Sequence, residues 1–316
     1  MDSMDAVRGH HRGGPDQLVH ERAPRPVPGE GEVLVRVRSA SITPGELDWD
    51  ATWTDALDGG GAPRLPIVPS KEFSGVVAGT GPAVTDRSPG DEVYGLIPFT
   101  RDGAAAEFTV VPAAVIAAKP PSLDHDHAAV LPLAGLTALQ GLVRHGGLRG
   151  GQRVLVHGGA GGVGAYAVQI AAALGASVTA TAAARDADFV RGLGAERVID
   201  YAAERFEDLL GGAGAVDLVL DTVGGDNVTR SWQVLRPSGV LVGVAVPPET
   251  TGPGGARGVF FVVEPDRAGL EELSRLVADG RLEPRVAQVF PLARTAEAYA
   301  ALGRPHRRGK IVLTVS

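Results

Sequence analysis

The segment GGAGGVG at positions 158–164 has the composition of a loop that could bind phosphate. Gly159, Gly161 and Gly164 satisfy the pattern G-x-G-x-x-G. In such a loop the first glycine permits a tight turn, the second lets the backbone approach a pyrophosphate, and the third lets the next helix pack on the preceding strand. The first N–H groups of that helix then attract the phosphates. The segment therefore predicts a dinucleotide-binding site.

The residues on either side of the loop determine whether the glycine pattern indicates a binding site, since the pattern alone is weak evidence. The run VLV at 154–156 is typical of a strand that is buried on both faces. After the loop, Val163, Ala167 and Ile170 recur at helical spacing, and Gly175 closes the helix. A flexible loop is the alternative, because the chain has 44 glycines. The strand and helix on either side favour the binding loop.

The end of the next predicted strand indicates which nicotinamide cofactor the loop would bind. Domains that prefer NAD place Asp or Glu there, about 20 residues after the glycines, to hold the ribose hydroxyls. This chain has no acidic residue between Gly164 and Arg185, and Arg185 can pair with a 2′-phosphate. Asp186 and Asp188 follow, and we interpret them as caps of the next helix. The sequence therefore predicts NADPH.

The pattern of the chain changes near residue 123, after Pro120, Pro121 and Ser122. Short β-like runs separated by Gly and Pro precede this point, and they are typical of a barrel or sandwich. Strand and helix patterns alternate after it, which is typical of a doubly wound parallel sheet. We predict a β-barrel catalytic domain at residues 1–122, completed by about 281–316, and a Rossmann domain at residues 123–280.

Composition excludes several classes of protein. The formal net charge is −7 and no dense run of Lys and Arg occurs, which argues against a nucleic-acid partner. No stretch approaches the roughly 18 apolar residues of a spanning helix, and residues 1–15 lack the apolar core of a signal peptide. We therefore expect a cytoplasmic protein without a membrane partner. The chain has no cysteine, which excludes disulfides, thiolate nucleophiles and Cys-ligated metals.

Several segments resemble the medium-chain dehydrogenase/reductase superfamily, and in particular its quinone oxidoreductase group. They are RVLVHGGAGGVGAYAVQIA (153–171), LPLAGLTALQGL (131–142), DTVGG (221–225), RGKIVL (308–313) and, in the N-terminal half, residues 28–39, residues 42–49 and PSKEFSG (69–75). The resemblance extends from about residue 27 to the end of the chain. It implies a GroES-like β-barrel catalytic domain, a Rossmann domain and an NADPH-dependent oxidoreductase.

The chain departs from the zinc-dependent members of that superfamily at the metal positions. Those members bind the catalytic zinc through a Cys, the His of a G-H-E segment and a later Cys or Asp. Here no Cys exists, and Lys71 stands at the His position. A protonated ammonium is no metal ligand, so the resemblance implies an enzyme without a metal.

Without zinc, another group must stabilise the negative charge that develops on a substrate carbonyl oxygen. Lys71 is the candidate for this role, and Tyr94 is a second possible proton donor. The alternative for Lys71 is a surface lysine or one that is ion-paired with Glu46 or Glu72. Structural packing is the alternative for Tyr94.

The remaining site residues also follow from the resemblance. Tyr201 lies where the family often has a tyrosine that contacts the 2′-phosphate, and packing at the rim is the alternative. Thr43 lies where quinone oxidoreductases often carry Asn, and we assign it to the substrate pocket with Trp49, Trp53 and Phe99, for which plain packing is the alternative. The other residues assigned to the cofactor are Thr137, Gly159, Gly161, Gly162, Val163, Gly164, Thr181, Val223, Gly243, Phe260 and Lys310.

His125 and His127 invite a metal interpretation because they are two residues apart. They follow Asp124, a typical cap at the start of a helix, so we interpret them as helical residues. No metal site is predicted.

Three functions remain open at this stage. The first is NADPH-dependent transfer of a hydride to a quinone or an α,β-unsaturated carbonyl compound. The second keeps the fold and cofactor pocket for a non-redox cyclisation or elimination in a biosynthetic pathway, and the third is a non-catalytic binding role. The run VFFVV at 259–263 is prone to form a strand and carries no charge, so we also expect a homodimer that pairs through this segment.

Overall fold

The computed structural model describes residues 2–58, 60–303 and 308–316, and the chain divides into two units. The barrel unit contains the chain from its N-terminus to Leu133, Pro265–Arg275 and Pro284–Ser316. The parallel-sheet unit contains Ala134–Glu264 and Leu276–Glu283. The predicted division after residue 122 therefore lies before the observed one.

The strands, in chain order, are β1 (Ser3–Gly9), β2 (Leu18–Pro24), β3 (Glu32–Ile42), β4 (Glu72–Thr80), β5 (Glu92–Leu96), β6 (Phe108–Pro112), β7 (Ile116–Ala118), β8 (Arg153–His157), β9 (Ser177–Ala182), β10 (Arg197–Asp200), β11 (Val216–Asp221), β12 (Leu235–Gly243), β13 (Arg257–Phe260), β14 (Val286–Pro291) and β15 (Lys310–Thr314). The helices are α1 (Asp50–Trp53), α2 (His125–Ala129), α3 (Pro132–Leu139), α4 (Gly162–Ala173), α5 (Ala187–Gly192), α6 (Phe206–Leu210), α7 (Asp226–Ser231), α8 (Arg267–Ala278) and α9 (Thr295–Ala301). Within the described ranges, no helix has the length and apolar character needed to span a membrane.

The sheet of the barrel unit follows the order β14-β15-β3-β4-β5-β7, and β6 pairs with β3. Apolar residues that alternate along each strand fill its interior, and examples are Val35, Phe73 and Ile311. The opposite face of β3, β4 and β15 is also buried but is polar, and it contains Ser39, Ser41, Glu72, Ser74 and Lys310. Strand alternation thus separates an apolar interior from a buried polar face.

Helix α2 lies in the barrel unit because it packs on the polar face of β3 and β4. Ser39 Oγ donates to Asp126 Oδ1 at 2.5 Å, and Ser74 Oγ lies 2.8 Å from His125 Nδ1. Asp124 caps the helix as predicted, since its side chain accepts from the His127 N–H at 2.8 Å. These hydrogen bonds explain why the observed division follows α2 instead of preceding it.

The parallel-sheet unit contains, in its described residues, the strand order β10-β9-β8-β11-β12-β13 with every pair parallel. Val154, Leu155 and Val156 of β8 are fully buried, as the apolar run predicted. The sequence order reverses on the two sides of β8, which opens a crevice at the carboxyl ends of the strands. The predicted fold class, a β-barrel domain with a doubly wound parallel-sheet domain, is confirmed.

One predicted helix is too long. The apolar spacing from Val228 to Leu235 predicts a helix, but α7 ends at Ser231 and Leu235 already begins β12. Leu235 pairs with Val216 of β11, so its buried side chain serves the sheet. The N-terminal hairpin of β1 and β2 was not predicted at all.

Candidate functional site

The glycine loop between β8 and α4 forms the centre of the candidate cofactor site. Gly158 has a positive φ of 76°, so it makes the tight turn that the pattern assigned to Gly159. A Cβ on Gly159 would lie 2.8 Å from the Cβ of Ala180, so this glycine serves packing instead. A Cβ on Gly164 would lie 2.1 Å from the carbonyl oxygen of Gly158, so α4 can pack this closely only with glycine at that position.

The start of α4 fits a phosphate group. Gly161 caps the helix without a side chain, and both Gly161 and Gly162 are exposed. A Cβ on Gly162 would meet nothing within 4 Å, so the backbone there borders open space. The first N–H groups of the helix, including that of Val163, therefore offer unshielded donors to a pyrophosphate.

Thr181 and His157 hold this loop from beneath. The carbonyl oxygen of Thr181 accepts from the Gly159 N–H at 2.8 Å, and its hydroxyl accepts from the Gly158 N–H at 3.1 Å. His157 is buried, with Nδ1 at 3.3 Å from Thr181 Oγ1 and Nε2 at 3.0 Å from Ser231 Oγ. Burial lowers the pKa of His157 to about 4, so the ring is neutral at pH 7. The sequence assigned Thr181 to the cofactor. In the structure, Thr181 contacts the glycine loop.

Other residues assigned to the cofactor come together at the carboxyl edge of the parallel sheet. Gly243 ends β12 and Phe260 ends β13, and these strands pair in register at those two residues. Val223 follows β11, and its N–H donates to Asp221 Oδ1 at 2.9 Å. Val223 and Phe260 are 54% and 44% exposed, so both offer apolar surface to a ligand. Thr137 is buried in α3 of the same unit.

Arg185 and Tyr201 lie after neighbouring strands at this same edge. Tyr201 follows β10, and its N–H donates to the carbonyl oxygen of Ala182 at the end of β9, at 3.3 Å. The Tyr201 side chain is 63% exposed, which disagrees with the alternative of a packed rim residue. Arg185 is about half exposed, with Nε 3.8 Å from Asp186 Oδ2. Asp186 precedes α5 as predicted, but its side chain makes no capping hydrogen bond.

Lys71 lies inside the barrel unit and has the environment of the ion-pair alternative. It is 1% exposed, its Nζ donates to the carbonyl oxygen of Arg101, and the carboxylate of Glu46 attracts it. Burial lowers the pKa of Lys71 to about 8 and raises that of Glu46. Glu46 also accepts from the Ser70 N–H at 2.6 Å and from the Tyr299 hydroxyl at 3.0 Å. The described geometry gives no support to Lys71 as a group that faces a substrate.

Tyr94 has a structural role in the described geometry. Its side chain is fully buried, and its hydroxyl donates to the carbonyl oxygen of Leu270 in α8 at 2.6 Å. The same hydroxyl lies 2.8 Å from Ser274 Oγ. Burial raises the pKa of Tyr94. Both the contacts and the pKa disfavour the predicted role of proton donor.

The structure joins Lys310 and Thr43, which the sequence assigned to the cofactor and to the substrate. Lys310 Nζ donates to Thr43 Oγ1 at 3.1 Å and also to Glu72 Oε1. Glu72 is fully buried, and its Oε2 accepts from the Leu133 N–H at 2.8 Å. This cluster of Thr43, Glu72 and Lys310 was not predicted as a unit. The sequence signal that was missed is the alternation of Ser39, Ser41 and Thr43, which is typical of a polar strand face.

The aromatic residues assigned to the substrate separate into two groups. Trp49 and Phe99 contact each other edge to face, with ring centroids 5.5 Å apart. Trp53 is buried, its Nε1 donates to the carbonyl oxygen of Leu47 at 2.7 Å, and its ring packs against Gly9. Trp53 therefore has the environment of a packing residue.

The described residues do not fit a catalytic zinc ion. In the ranges 2–58, 60–303 and 308–316, no group of three or more His, Cys, Asp and Glu side chains is placed to hold a metal. At the position of the zinc-ligating His stands the buried ammonium of Lys71, which has no lone pair to donate while it is protonated.

Comparisons with known proteins agree with this geometry. The families described as "Alcohol dehydrogenase GroES-like domain" and "Zinc-binding dehydrogenase" match residues 29–121 and 193–313. The mitochondrial NAD(P)H oxidoreductase RTN4IP1 of Danio rerio is 32% identical over 327 residues, which cover 90% of this chain and 84% of that protein. The chloroplastic NADPH-dependent alkenal/one oxidoreductase of Arabidopsis thaliana is 35% identical over 297 residues, with 90% and 72% covered.

The solved structure of the quinone oxidoreductase from Coxiella burnetii matches with a TM-score of 0.87 and 31% identity, and all of both chains is covered. The chain belongs to the medium-chain dehydrogenase/reductase superfamily, quinone oxidoreductase-like branch. Within this superfamily the barrel unit is the GroES-like domain and the parallel-sheet unit is the Rossmann-type domain. The resemblance stated from the sequence is thereby confirmed.

The burial of Lys71 makes the stability of the folded chain depend on pH. The pKa of Lys71 is about 8 when folded, against an ordinary value of 10.5. Between these values the unfolded chain keeps a proton on Lys71 that the folded chain has lost, so the free energy of unfolding rises with pH. The difference between the two pKa values corresponds to roughly 3 kcal/mol in the free energy of unfolding. Below pH 8 Lys71 is protonated in the folded chain as well, so burial of its charge lowers the free energy of unfolding by this full amount.

Chemical denaturation at about pH 7.5 and about pH 10 checks this linkage. The wild type should gain stability relative to Lys71→Met as the pH rises. A pH dependence that is equal in the wild type and in Lys71→Met would contradict the buried, weakly basic Lys71.

Proposed function

We propose that the protein is a zinc-independent, NADPH-dependent oxidoreductase that transfers hydride to a quinone or to an α,β-unsaturated ketone or aldehyde. The observation that carries the proposal is the glycine loop at the start of α4, with Arg185 and Tyr201 at the ends of the two strands beside it. The loop fits the pyrophosphate, and Arg185 and Tyr201 fit the 2′-phosphate. Relatives with matching names, including an alkenal/one oxidoreductase and a quinone oxidoreductase, support the substrate class.

The bound nicotinamide supplies a hydride, and the residues of the chain supply position and electrostatics. The first amides of α4 hold the phosphates, while Val223 and Phe260 give apolar surface at the same sheet edge. Hydride transfer to a conjugated carbonyl compound leaves negative charge on its oxygen. A hydrogen-bond donor that belongs to the chain then has to meet that charge.

An assay of NADPH oxidation tests the proposed activity. Enals, enones and quinones are offered as acceptors, in the presence and absence of a strong chelator of zinc. We expect turnover with at least one of these acceptors and an equal rate with the chelator, because no described residues are placed to hold zinc. Absence of turnover with every acceptor, or loss of turnover with the chelator, would refute the activity or its independence of zinc.

Arg185 should determine the preference for NADPH over NADH. A hydrogen bond to a charged partner contributes roughly 1.5–3 kcal/mol, so Arg185→Ala should weaken NADPH binding about tenfold to a hundredfold. NADH has no 2′-phosphate, so its dissociation constant should change little. The measurement is the dissociation constant of both cofactors by fluorescence titration.

Arg191→Ala is the matched control for this measurement. Arg191 is exposed to the same degree as Arg185, 53% against 52%, and its guanidinium pairs with Asp188 in the adjacent helix α5. The control should bind NADPH as the wild type does. Equal weakening of both cofactors in Arg185→Ala would return Arg185 to a role in the fold, and equal affinity of the wild type for both cofactors would refute the preference.

We also propose that the chain forms a homodimer through β13 and takes a small-molecule substrate in the cytoplasm, with no nucleic-acid or membrane partner. Among the described residues, β13 pairs with β12 on one side, and residues 250–252 cover the start of its other side, where the Gly258 N–H donates to the carbonyl oxygen of Thr250 at 3.0 Å. No strand pairs with the end of β13 on that side in the described residues. Val262, two residues after β13, is 50% exposed and offers an apolar side chain to a second copy that pairs with the end of this strand. Sedimentation should give a dimer for the wild type and a monomer for Val262→Asp; a wild-type monomer at micromolar concentration would contradict the pairing.

A further inference from the structure

His157 is a buried titratable residue that the proposed reaction does not use, and it lies directly before the glycine loop. Each nitrogen of its ring meets one hydroxyl, Nδ1 at 3.3 Å from Thr181 Oγ1 and Nε2 at 3.0 Å from Ser231 Oγ. Phe206 contacts the ring edge to face, with centroids 4.6 Å apart. Because burial lowers the pKa of His157 to about 4, the ring carries a single N–H proton at neutral pH. The hydrogen bonds of the neighbouring side chains decide which nitrogen holds that proton.

Ser231 requires the proton to be on Nε2. Its hydroxyl donates to the carbonyl oxygen of Asn227, one turn earlier in α7, at 2.6 Å. A hydroxyl has one proton, so the Ser231 oxygen can only accept from His157. The contact between Nε2 and Ser231 Oγ therefore needs an N–H at Nε2. Since a neutral imidazole has one N–H, Nδ1 carries a lone pair and is an acceptor.

The lone pair at Nδ1 determines the orientation of the Thr181 hydroxyl. That hydroxyl donates to Nδ1, which leaves its oxygen free to accept from the Gly158 N–H at 3.1 Å. The hydrogen bonds therefore run in one direction, from Gly158 through Thr181 to the ring, and they continue through Ser231 into α7. In such a chain each hydrogen bond polarises the next, so a hydroxyl that donates to the ring is a better acceptor for the N–H of the loop.

His157 also connects the glycine loop with the turn that follows β11. Its carbonyl oxygen accepts from Thr222 Oγ1 at 2.7 Å. A Cβ on Gly158 would lie 2.8 Å from Thr222 Oγ1 and 2.9 Å from Val223 Cγ2, so the loop and this turn are in contact. The carbonyl oxygen of Gly158 accepts from the Gly161 N–H at 2.9 Å, so the placement of Gly158 affects the residue that caps α4. A displacement of Gly158 would therefore reach the amides at the start of that helix.

We propose that His157, as the tautomer with its proton on Nε2, is a positioning residue that holds the glycine loop in the conformation that binds the pyrophosphate of the cofactor. The inference rests on the proposed function, because that function supplies the pyrophosphate. The side chain of His157 is fully buried, so it acts on a ligand only through Thr181 and Gly158. A role in packing alone would require only a side chain of similar size, whereas this role requires an acceptor at the position of Nδ1.

The tautomer is measured directly by 15N NMR of the ligand-free wild type with labelled histidine. The His157 signals are identified by their absence from a folded His157 or by their shift in Thr181→Val. We expect a proton on Nε2 and a lone pair on Nδ1 at neutral pH. A proton on Nδ1 would overturn the proposal.

Three variants of His157 separate the acceptor from the donor. His157→Leu removes both, His157→Gln places an amide N–H near the position of Nε2, and His157→Asn places an amide oxygen near the position of Nδ1. Titration calorimetry gives the dissociation constants of NADPH and of adenosine 2′-monophosphate, which has no pyrophosphate. The thermal unfolding midpoint shows which variants are folded.

We expect His157→Leu and His157→Gln to weaken the binding of NADPH about tenfold, as the loss of one buried hydrogen bond does. His157→Asn should recover the affinity to within about threefold of the wild type, because it restores the acceptor for Thr181. The affinity for adenosine 2′-monophosphate should stay the same in all three variants.

Thr181 provides an independent pair of variants. Thr181→Val removes the hydroxyl with little change of volume and should weaken NADPH binding as His157→Leu does, and Thr181→Ser should restore it. Thr179→Val is the matched control, because Thr179 lies two residues earlier in β9, on the same side of the strand, where it pairs with Leu155. The control should bind both ligands as the wild type does.

Wild-type affinity for NADPH in folded His157→Leu would overturn the proposal, and so would equal weakening in His157→Asn and His157→Gln. Weakening of both ligands by the same factor would also overturn it, because His157 would then support the unit as a whole. If no His157 variant folded, the tautomer of the wild type and the Thr181 pair would decide. If the wild type bound neither ligand, the proposed function would fail, which is a different result.

Discussion

The close contact between the start of α4 and the end of β8 is the constraint on which the parallel-sheet unit depends. A Cβ at Gly164 would lie 2.1 Å from the carbonyl oxygen of Gly158, so any side chain there would force the helix away from the sheet. One turn earlier, Gly161 and Gly162 stay exposed at the head of the helix. Packing and phosphate binding are thus divided among different glycines of one loop, while Thr181 holds the loop from below.

The barrel unit depends on a different constraint, which is the burial of charged side chains. An ammonium in the interior is costly unless hydrogen-bond partners and an opposite charge accompany it. Lys71 has a backbone carbonyl and Glu46, and Lys310 has Thr43 and Glu72. The partners decide what each lysine can do. The acceptor that holds Lys71 belongs to the backbone, whereas both acceptors that hold Lys310 belong to side chains.

The sequence predicts best where periodicity and special residues agree. The apolar run of β8, the glycines after it and the helical spacing of α4 all indicate one arrangement, and the structure has it. The helix predicted up to Leu235 is wrong at its end, because a buried leucine is compatible with both a helix and a strand. Leu235 pairs with Val216 and therefore belongs to strand β12. Gly158 makes the turn assigned to Gly159 because the pattern fixes the spacing of glycines but not their φ angles.

The candidate site in the barrel was less predictable, because its members are far apart in sequence. Thr43, Glu72 and Lys310 meet only through the register of β3 with β4 and with β15. By the resemblance, Lys71 stands at the position of a metal ligand. The position of a residue in the sequence does not determine the direction in which a long side chain points. The acceptor that holds Lys71 is a backbone carbonyl, which leaves no trace in residue type. Lys71 and Lys310 therefore look equivalent in the sequence, and only the structure shows that a backbone carbonyl holds the first and side chains hold the second.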